Sequence, residues 1–234
     1  MSEWITLLGF SDQGWGISLL KGMLVTLQIS IGAFIVGLVI GVLTALAKLH
    51  GSQSMKVIAR GYTTVCRAVP ELLLILLLYY SGSHGINILL QALGFPEVDI
   101  GGVPVAIVVL GLVQGAYASE IIRSSILAVP HGQIEAATCM GMTRQRVFWR
   151  MTLPMMAPFA LSGLANLWVS LVKDSALISV VGTNELLYNA KQAAGSTHSY
   201  LTFFLAAAAL YYVINLVSNA ALRRVELRFR RWMP

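Results

Sequence analysis

Charged side chains are scarce in this chain, and the scarcity excludes most soluble architectures. Asp, Glu, Lys and Arg make up 11% of the 234 residues, against about a quarter in soluble domains. None lies between Lys21 and Lys48, between Glu71 and Glu97, between Asp99 and Glu120, between Arg150 and Lys173, or between Lys191 and Arg223. Those gaps are charge-free runs of 26, 25, 20, 22 and 31 residues. A hydrocarbon core of ~30 Å takes about 20 helical residues rising ~1.5 Å each, so each run is long enough for one span. A soluble core is excluded because a chain this short cannot wrap five such runs in polar surface.

Other shortages narrow the chemistry. Cysteine occurs twice, at Cys66 and Cys139, far apart and without metal-ligand spacing, so the pair reads as two reduced thiols. The four histidines (His50, His84, His131, His198) are equally isolated and show no metal site. A GxxxxGK[ST] phosphate loop is missing, so the chain is not itself an ATPase of that kind. The opening MSEWITLLGFSDQGW carries Glu3 and Asp12 and no basic n-region. The expectation is that the first span targets the chain, with no cleaved signal peptide.

What charge there is sorts by side. Lys48, Lys56 and Arg60 follow the first run, Arg144, Arg146 and Arg150 the third, and Arg223, Arg224, Arg228, Arg230 and Arg231 the last. The alternate segments hold Glu3, Asp12, Glu97, Asp99 and Glu185 against Lys21 and Lys191. Basic residues mark cytoplasmic loops, so the N-terminus is expected outside and the C-terminus inside. The net charge of +6 and pI of 9.6 are thus a topology signal and imply no nucleic-acid partner.

The expected organisation is all-α, with five membrane helices. Residues 1–17 form a periplasmic segment, 18–225 the transmembrane domain and 226–234 a cytoplasmic tail. Spans fall at about 18–47, 58–81, 101–125, 154–174 and 199–222, with outer stretches at 82–100 and 175–198 and a polar loop at 127–153. Gly32, Gly37 and Gly41 on the first span suit close helix packing. Pro70 removes a backbone donor and should kink or break the second span.

Ionisable residues inside a span face a cavity or a partner. Arg67, Glu71, Glu120, Arg123, Lys173 and Asp174 lie at or inside span ends. Gln114, Tyr117 and Glu120 share a face at i, i+3 and i+6, as do Ser162, Asn166, Ser170 and Lys173 on the next span. Two readings stay open. The stripes line a hydrophilic route, or the charges pair locally, Arg67 with Glu71 and Glu120 with Arg123, with Lys173 and Asp174 at the membrane interface.

The polar loop is the most specific segment. From His131 to Pro154 it reads HGQIEAATCMGMTRQRVFWRMTLP. The pattern predicts a short helix, a turn at Gly141, and a second basic helix leading to Pro154. Glu135, Ala136, Ala137, three residues, Gly141, nine residues, Met151, one residue, then Leu153 and Pro154 resembles the EAA motif of ATP-binding-cassette importer permeases, with Met151 where Ile is usual. GYTTVCRAVPELLLILLLYY at 61–80 (Ala68 where Gly is usual), GAYASEIIRSSILAVPHGQIEAA at 115–137, and LVKDSALISVVGTNEL at 171–186 (departing at Ser175 and Ala176) are similar to stretches of polar amino-acid permeases.

That resemblance implies the type I importer fold and an inner-membrane location. The partners it implies are a second, paralogous permease, two ATPase subunits carrying the ATP and Mg, a periplasmic solute-binding protein and the lipid bilayer. This chain would bind no cofactor and catalyse nothing by itself. Glu135, Ala136, Ala137, Gly141, Arg144, Leu153 and Pro154 would couple to an ATPase. The implied cargo is a polar, basic amino acid (histidine, lysine, arginine, ornithine) or a related opine. It would pass Tyr117, Glu120, Asp174, Gln114, Lys173, Arg67, Glu71 and Asn166, and the acidic groups would meet its cation. A stand-alone secondary transporter or channel would explain the spans and the buried charges, but not the segment Glu135 to Pro154.

Overall fold

A computed structural model describes residues 6–10, 14–92 and 102–229. Glu3, Asp12, Glu97, Asp99, Arg230 and Arg231, and with them parts of the expected 1–17, 82–100 and 226–234 segments, lie outside the described residues. Among the described residues the regular structure is all helix. The helices are α1 (Gly16–His50), α2 (Gln53–Ala68), α3 (Glu71–Ala92), α4 (Gly102–Leu127), α5 (His131–Cys139), α6 (Arg144–Val147), α7 (Leu153–Asp174), α8 (Leu186–Thr197) and α9 (Tyr200–Phe229). A π-turn at Phe148–Thr152 joins α6 to α7, and a 3-10 stretch at Ser175–Val181 extends α7. Among the described residues four helical units are long and apolar enough to cross a bilayer, and the bent pair α2–α3 makes up to five.

The core is built on α1 against α4. Lipid tails are as apolar as leucine, so helices in a membrane associate by close packing of small residues. Here Gly37 and Gly41 of α1 lie against Gly111, Gly115 and Ala118 of α4, two small-xxx-small faces in contact. The register rises together along both helices, Gly32 near Ile107, Gly37 near Gln114 and Gly41 near Ser119, so the two run parallel. Ile29, Ala33, Leu110, Leu171 and Ile178 fill the centre. Large apolar side chains such as Leu24, Ile35, Leu43 and Val217 point outward, as expected of helices solvated by hydrocarbon.

The second span departs most from the sequence expectation. Pro70 breaks it outright: Val69 is extended (φ −86°, ψ 138°) and α3 leaves α2 at 117°. The proline ring forces the preceding residue out of helical geometry and cannot donate to a carbonyl four residues back. Beyond the break α3 runs on as helix to Ala92, past the expected end at 81. α9 likewise continues through Arg223 and Arg224 to Phe229, where the sequence suggested a separate tail.

The outer stretch 175–198 is ordered by one carboxylate. Glu185 is fully buried and caps α8, accepting from the Leu187 and Tyr188 amides at 2.9 and 2.7 Å. Tyr211 of α9 donates to it at 2.7 Å and Thr26 of α1 at 3.3 Å. Burial pushes this carboxyl above the usual carboxylate range, and the four donors pull the other way. The sequence reading counts Glu185 as an outer surface charge; the structure makes it the tie between α1, α8 and α9.

A Cβ on Gly41 would sit 2.7 Å from the Ala118 Cβ and 3.1 Å from the Ser119 nitrogen. Gly41→Leu should therefore part α1 from α4 and cost at least about 1–3 kcal/mol. Thermal unfolding in detergent checks this, and an unchanged melting temperature would contradict the close approach.

Candidate translocation site and coupling segment

Four helices converge on one polar cluster. Gln114 is 2% exposed on α4, and its Nε2 donates to Asp174 Oδ2 at 3.0 Å. Its Oε1 is buried with no hydrogen-bond partner among the described residues. Asp174 closes α7 where the α-helix tightens into the 3-10 stretch. Glu71 opens α3 and lies close enough to act electrostatically on both Tyr117 and Asp174. Arg67, in the last turn of α2, stands over the Tyr117 ring with its guanidinium carbon 5.9 Å from the centroid.

The break at Pro70 makes this arrangement possible. In a continuous helix Arg67 and Glu71 would neutralise each other at i, i+4. The 117° turn puts them on different helices, and no ion pair joins them among the described residues. Local pairing therefore fails for Arg67. What results is a polar cluster around Tyr117 that gathers two carboxylates, an amide and a guanidinium.

One turn along α4, Glu120 belongs to a second cluster. It is held by Lys48 Nζ at 2.5 Å and by Arg123 Nε and Nη2 at 3.0 and 2.9 Å. Lys48 also donates to Thr63 Oγ1 at 2.5 Å. This ties α1, α2 and α4 together at the Arg-rich end of the bundle, and local pairing holds here. The cluster lines a cavity of about 650 Å³, whose other walls include Arg60, Thr64 and Arg67.

The polar stripe on α7 divides. Ser162 and Asn166 line a different cavity of about 720 Å³ with Ser124, Ser125 and Glu226. Asn166 therefore stands away from the Gln114–Asp174 cluster. Lys173 is exposed beside Asp174. The sequence reading missed Lys48 and Thr63 as partners of Glu120. The available signal was depth, since an intramembrane carboxylate calls for a cation at the same level and Lys48 ends the adjoining helix.

The segment Glu135 to Pro154 forms the expected helix, turn and second helix. α5 ends in a Schellman turn: Met142 N bonds Ala137 O at 3.2 Å and Gly141 N bonds Thr138 O at 2.9 Å. Gly141 takes φ +77°, which suits glycine. Ala137 is buried, and Ile134 and Leu153 pack on the cluster of Ala45, Ile122, Val129, Met156 and Ala160. Glu135, Ala136 and Arg144 face outward, with Met140 84% exposed at the tip. Pro154 does not open the span, because α6, the π-turn and α7 run on as one unit from Arg144. Without an N–H, and with its ring set against the Arg150 carbonyl, Pro154 fits the widened turn that precedes it.

Comparison with known proteins matches residues 37–231 to the family described as binding-protein-dependent transport system inner membrane component. The octopine transport system permease protein OccQ of Rhizobium radiobacter is 37% identical over 230 residues, covering 98% of this chain and 97% of that protein. The histidine/lysine/arginine/ornithine transport system permease protein HisQ of Escherichia coli is 37% identical over 216 residues, covering 92% and 95%. The solved structure of an amino acid ABC transporter with histidines superposes with a TM-score of 0.78 at 29% identity, covering 92% of this chain and 95% of that one. The MetNI methionine ABC transporter, at 20% identity and a TM-score of 0.65 over 91% and 94%, shares the fold.

Lys48→Ala should leave Glu120 with Arg123, a half-buried partner, and destabilise the chain by about 1–3 kcal/mol. Combining it with Glu120→Gln should recover part of that loss. A double-mutant cycle on thermal unfolding reads the coupling, and strictly additive losses would remove the bridge as a stabilising element.

Proposed function

The chain belongs to the family of inner membrane components of binding-protein-dependent transport systems, and we propose that it is the permease subunit of an importer of polar, basic amino acids or their opine relatives. The observation that carries the cargo class is the cluster of Glu71, Asp174, Gln114 and Arg67 around Tyr117. A zwitterion with a cationic side chain is complementary to it: amine or guanidinium between the carboxylates, carboxylate toward Arg67. The relatives named for octopine, nopaline and the basic amino acids support the same class.

In this reading the chain performs no covalent chemistry. It pairs with a second permease, takes cargo from a periplasmic binding protein, and borrows energy from two ATPase subunits that hold the ATP and Mg. Its N-terminus is periplasmic and its Arg-rich end cytoplasmic. The outward residues Glu135, Ala136, Met140 and Arg144 dock on an ATPase. Closure of the ATPase dimer then moves α5, and α5 carries the spans through Ile134, Leu153 and the unit α6–α7.

Reconstituted with its partners, the complex should take up arginine only when ATP is supplied on the ATPase side. Uptake by this chain alone on an ion gradient would favour a secondary transporter. Glu135→Arg should abolish uptake and uncouple ATP hydrolysis while the protein stays inserted. Asp174→Asn should lower uptake of a cationic substrate by at least about tenfold, the worth of one charge-assisted contact, with ATPase association intact.

A further inference from the structure

At the end of the bundle away from Lys48, α1 and α8 wall a cavity of about 570 Å³. Hydrogen bonds fix its walls. Asn189 Nδ2 donates to the Ser18 carbonyl at 2.9 Å, and Gln192 Nε2 donates to the Tyr188 hydroxyl at 3.0 Å. Trp15 stands edge-on to Phe203, with ring centroids 6.5 Å apart. Among the described residues lining the cavity Lys21 is the one cation, and none carries a carboxylate. Lys21 is exposed and has no hydrogen bond or ion pair among the described residues. Its uncompensated charge lies among the amides and hydroxyls of Ser18, Asn184, Gln192 and Ser196. That arrangement suits an anion that also carries hydroxyl groups.

α1 indicates what such an anion is attached to. Lys21, Leu24, Gln28, Ile31 and Ile35 fall at i, i+3, i+7, i+10 and i+14 on one face, and all are exposed. Ser18 and Val25 of the cavity occupy the neighbouring face, so Lys21 stands where the cavity meets this stripe. Trp15 and Tyr188 beside it are the aromatic types of a membrane–water interface. Gln28 lies deeper, about 10 Å from Lys21 along the axis, and Ile31 and Ile35 beyond it are purely apolar. A phospholipid presents phosphate, ester carbonyls and acyl chain in the same order. Gln28 has no partner among the described residues, and an amide left unpaired in hydrocarbon is costly. An ester carbonyl beside it removes that cost, whereas a soluble anion would leave Gln28 and the apolar stripe uncovered.

We propose that this cavity is a binding site for the headgroup of an anionic phospholipid with the chemistry of phosphatidylglycerol. Its phosphate sits at Lys21, its glycerol hydroxyls at Asn184, Gln192 and Ser196, and an ester carbonyl at Gln28. One acyl chain runs along Leu24, Ile31 and Ile35. A zwitterionic headgroup is served less well, because its ammonium group finds no carboxylate in the cavity. The bound lipid ties α1 to α8, and the site shares no residue with the Gln114–Asp174 cluster.

The test uses the intact complex with its partner subunits in nanodiscs of phosphatidylethanolamine with a minor share of phosphatidylglycerol. Native mass spectrometry then counts the lipids it retains. Phosphatidylglycerol should bind about fivefold tighter than phosphatidylethanolamine, the worth of one basic residue facing an anionic lipid. Lys21→Gln should remove one bound phosphatidylglycerol per copy of this chain, and Lys21→Arg should keep it. Lys191→Gln, which deletes an equal charge outside the cavity, should leave the count unchanged. A count that survives Lys21→Gln, or that falls equally with Lys191→Gln, would overturn the site. Displacement of the lipid by added sn-glycerol 3-phosphate would overturn it in favour of a soluble anion. Weaker capture of the periplasmic binding protein by Lys21→Gln, with the lipid count unchanged, would overturn it in favour of a protein contact.

Discussion

The close parallel contact of α1 with α4 is the constraint on which the other features depend. In hydrocarbon no hydrophobic force drives helices together, so contact has to come from dispersion over closely matched surfaces. Gly37 and Gly41 against Gly111 and Gly115 bring the two backbones near enough for that. The contact fixes the rotation of α4 about its axis. With the rotation fixed, Gln114 is buried, Tyr117 turns toward α2 and Glu120 meets Lys48.

The proline break adds what a continuous helix lacks, a change of direction between charged groups. Continuous helix would cancel Arg67 against Glu71 on one surface. Turning the chain at Val69–Pro70 separates them and directs each to Tyr117 from a different side. Placing charge inside a membrane protein is costly, and the cost is met here by mutual pairing or by facing a cavity. Glu120 follows the first course. Arg67 follows the second, and with Glu71 and Asp174 near Tyr117 it forms the better candidate for contact with cargo.

At the Arg-rich end, mechanical continuity replaces electrostatics. α5 rests on the bundle through Ile134 and Ala137, and the unit from Arg144 through the π-turn into α7 has no loop in which motion could dissipate. Asp174 terminates that same unit at its far end. A displacement of the outward tip at Met140 is therefore joined by packed helix to the Gln114–Asp174 contact.

Sequence alone determined the class of this protein. Charge-free runs report spans directly, because the bilayer leaves the chain few other ways to satisfy its backbone. The segment Glu135 to Pro154 was readable because a helix, a glycine turn and a proline at fixed spacing are local features. Gly37 and Gly41 were legible as suiting close packing, and Glu120–Arg123 pairing as one of two open readings, since both follow from helical periodicity. Lys48 with Glu120, Glu185 with Thr26 and Tyr211, and Asn166 in a separate cavity were decided only by tertiary structure. These partners lie far apart in the chain, and no periodicity relates residues on different helices. Only the angle at Pro70 and the rotation of α4 brought Arg67, Glu71, Gln114 and Asp174 to one place. Both are set by how whole helices pack, a property of surfaces that no single segment carries.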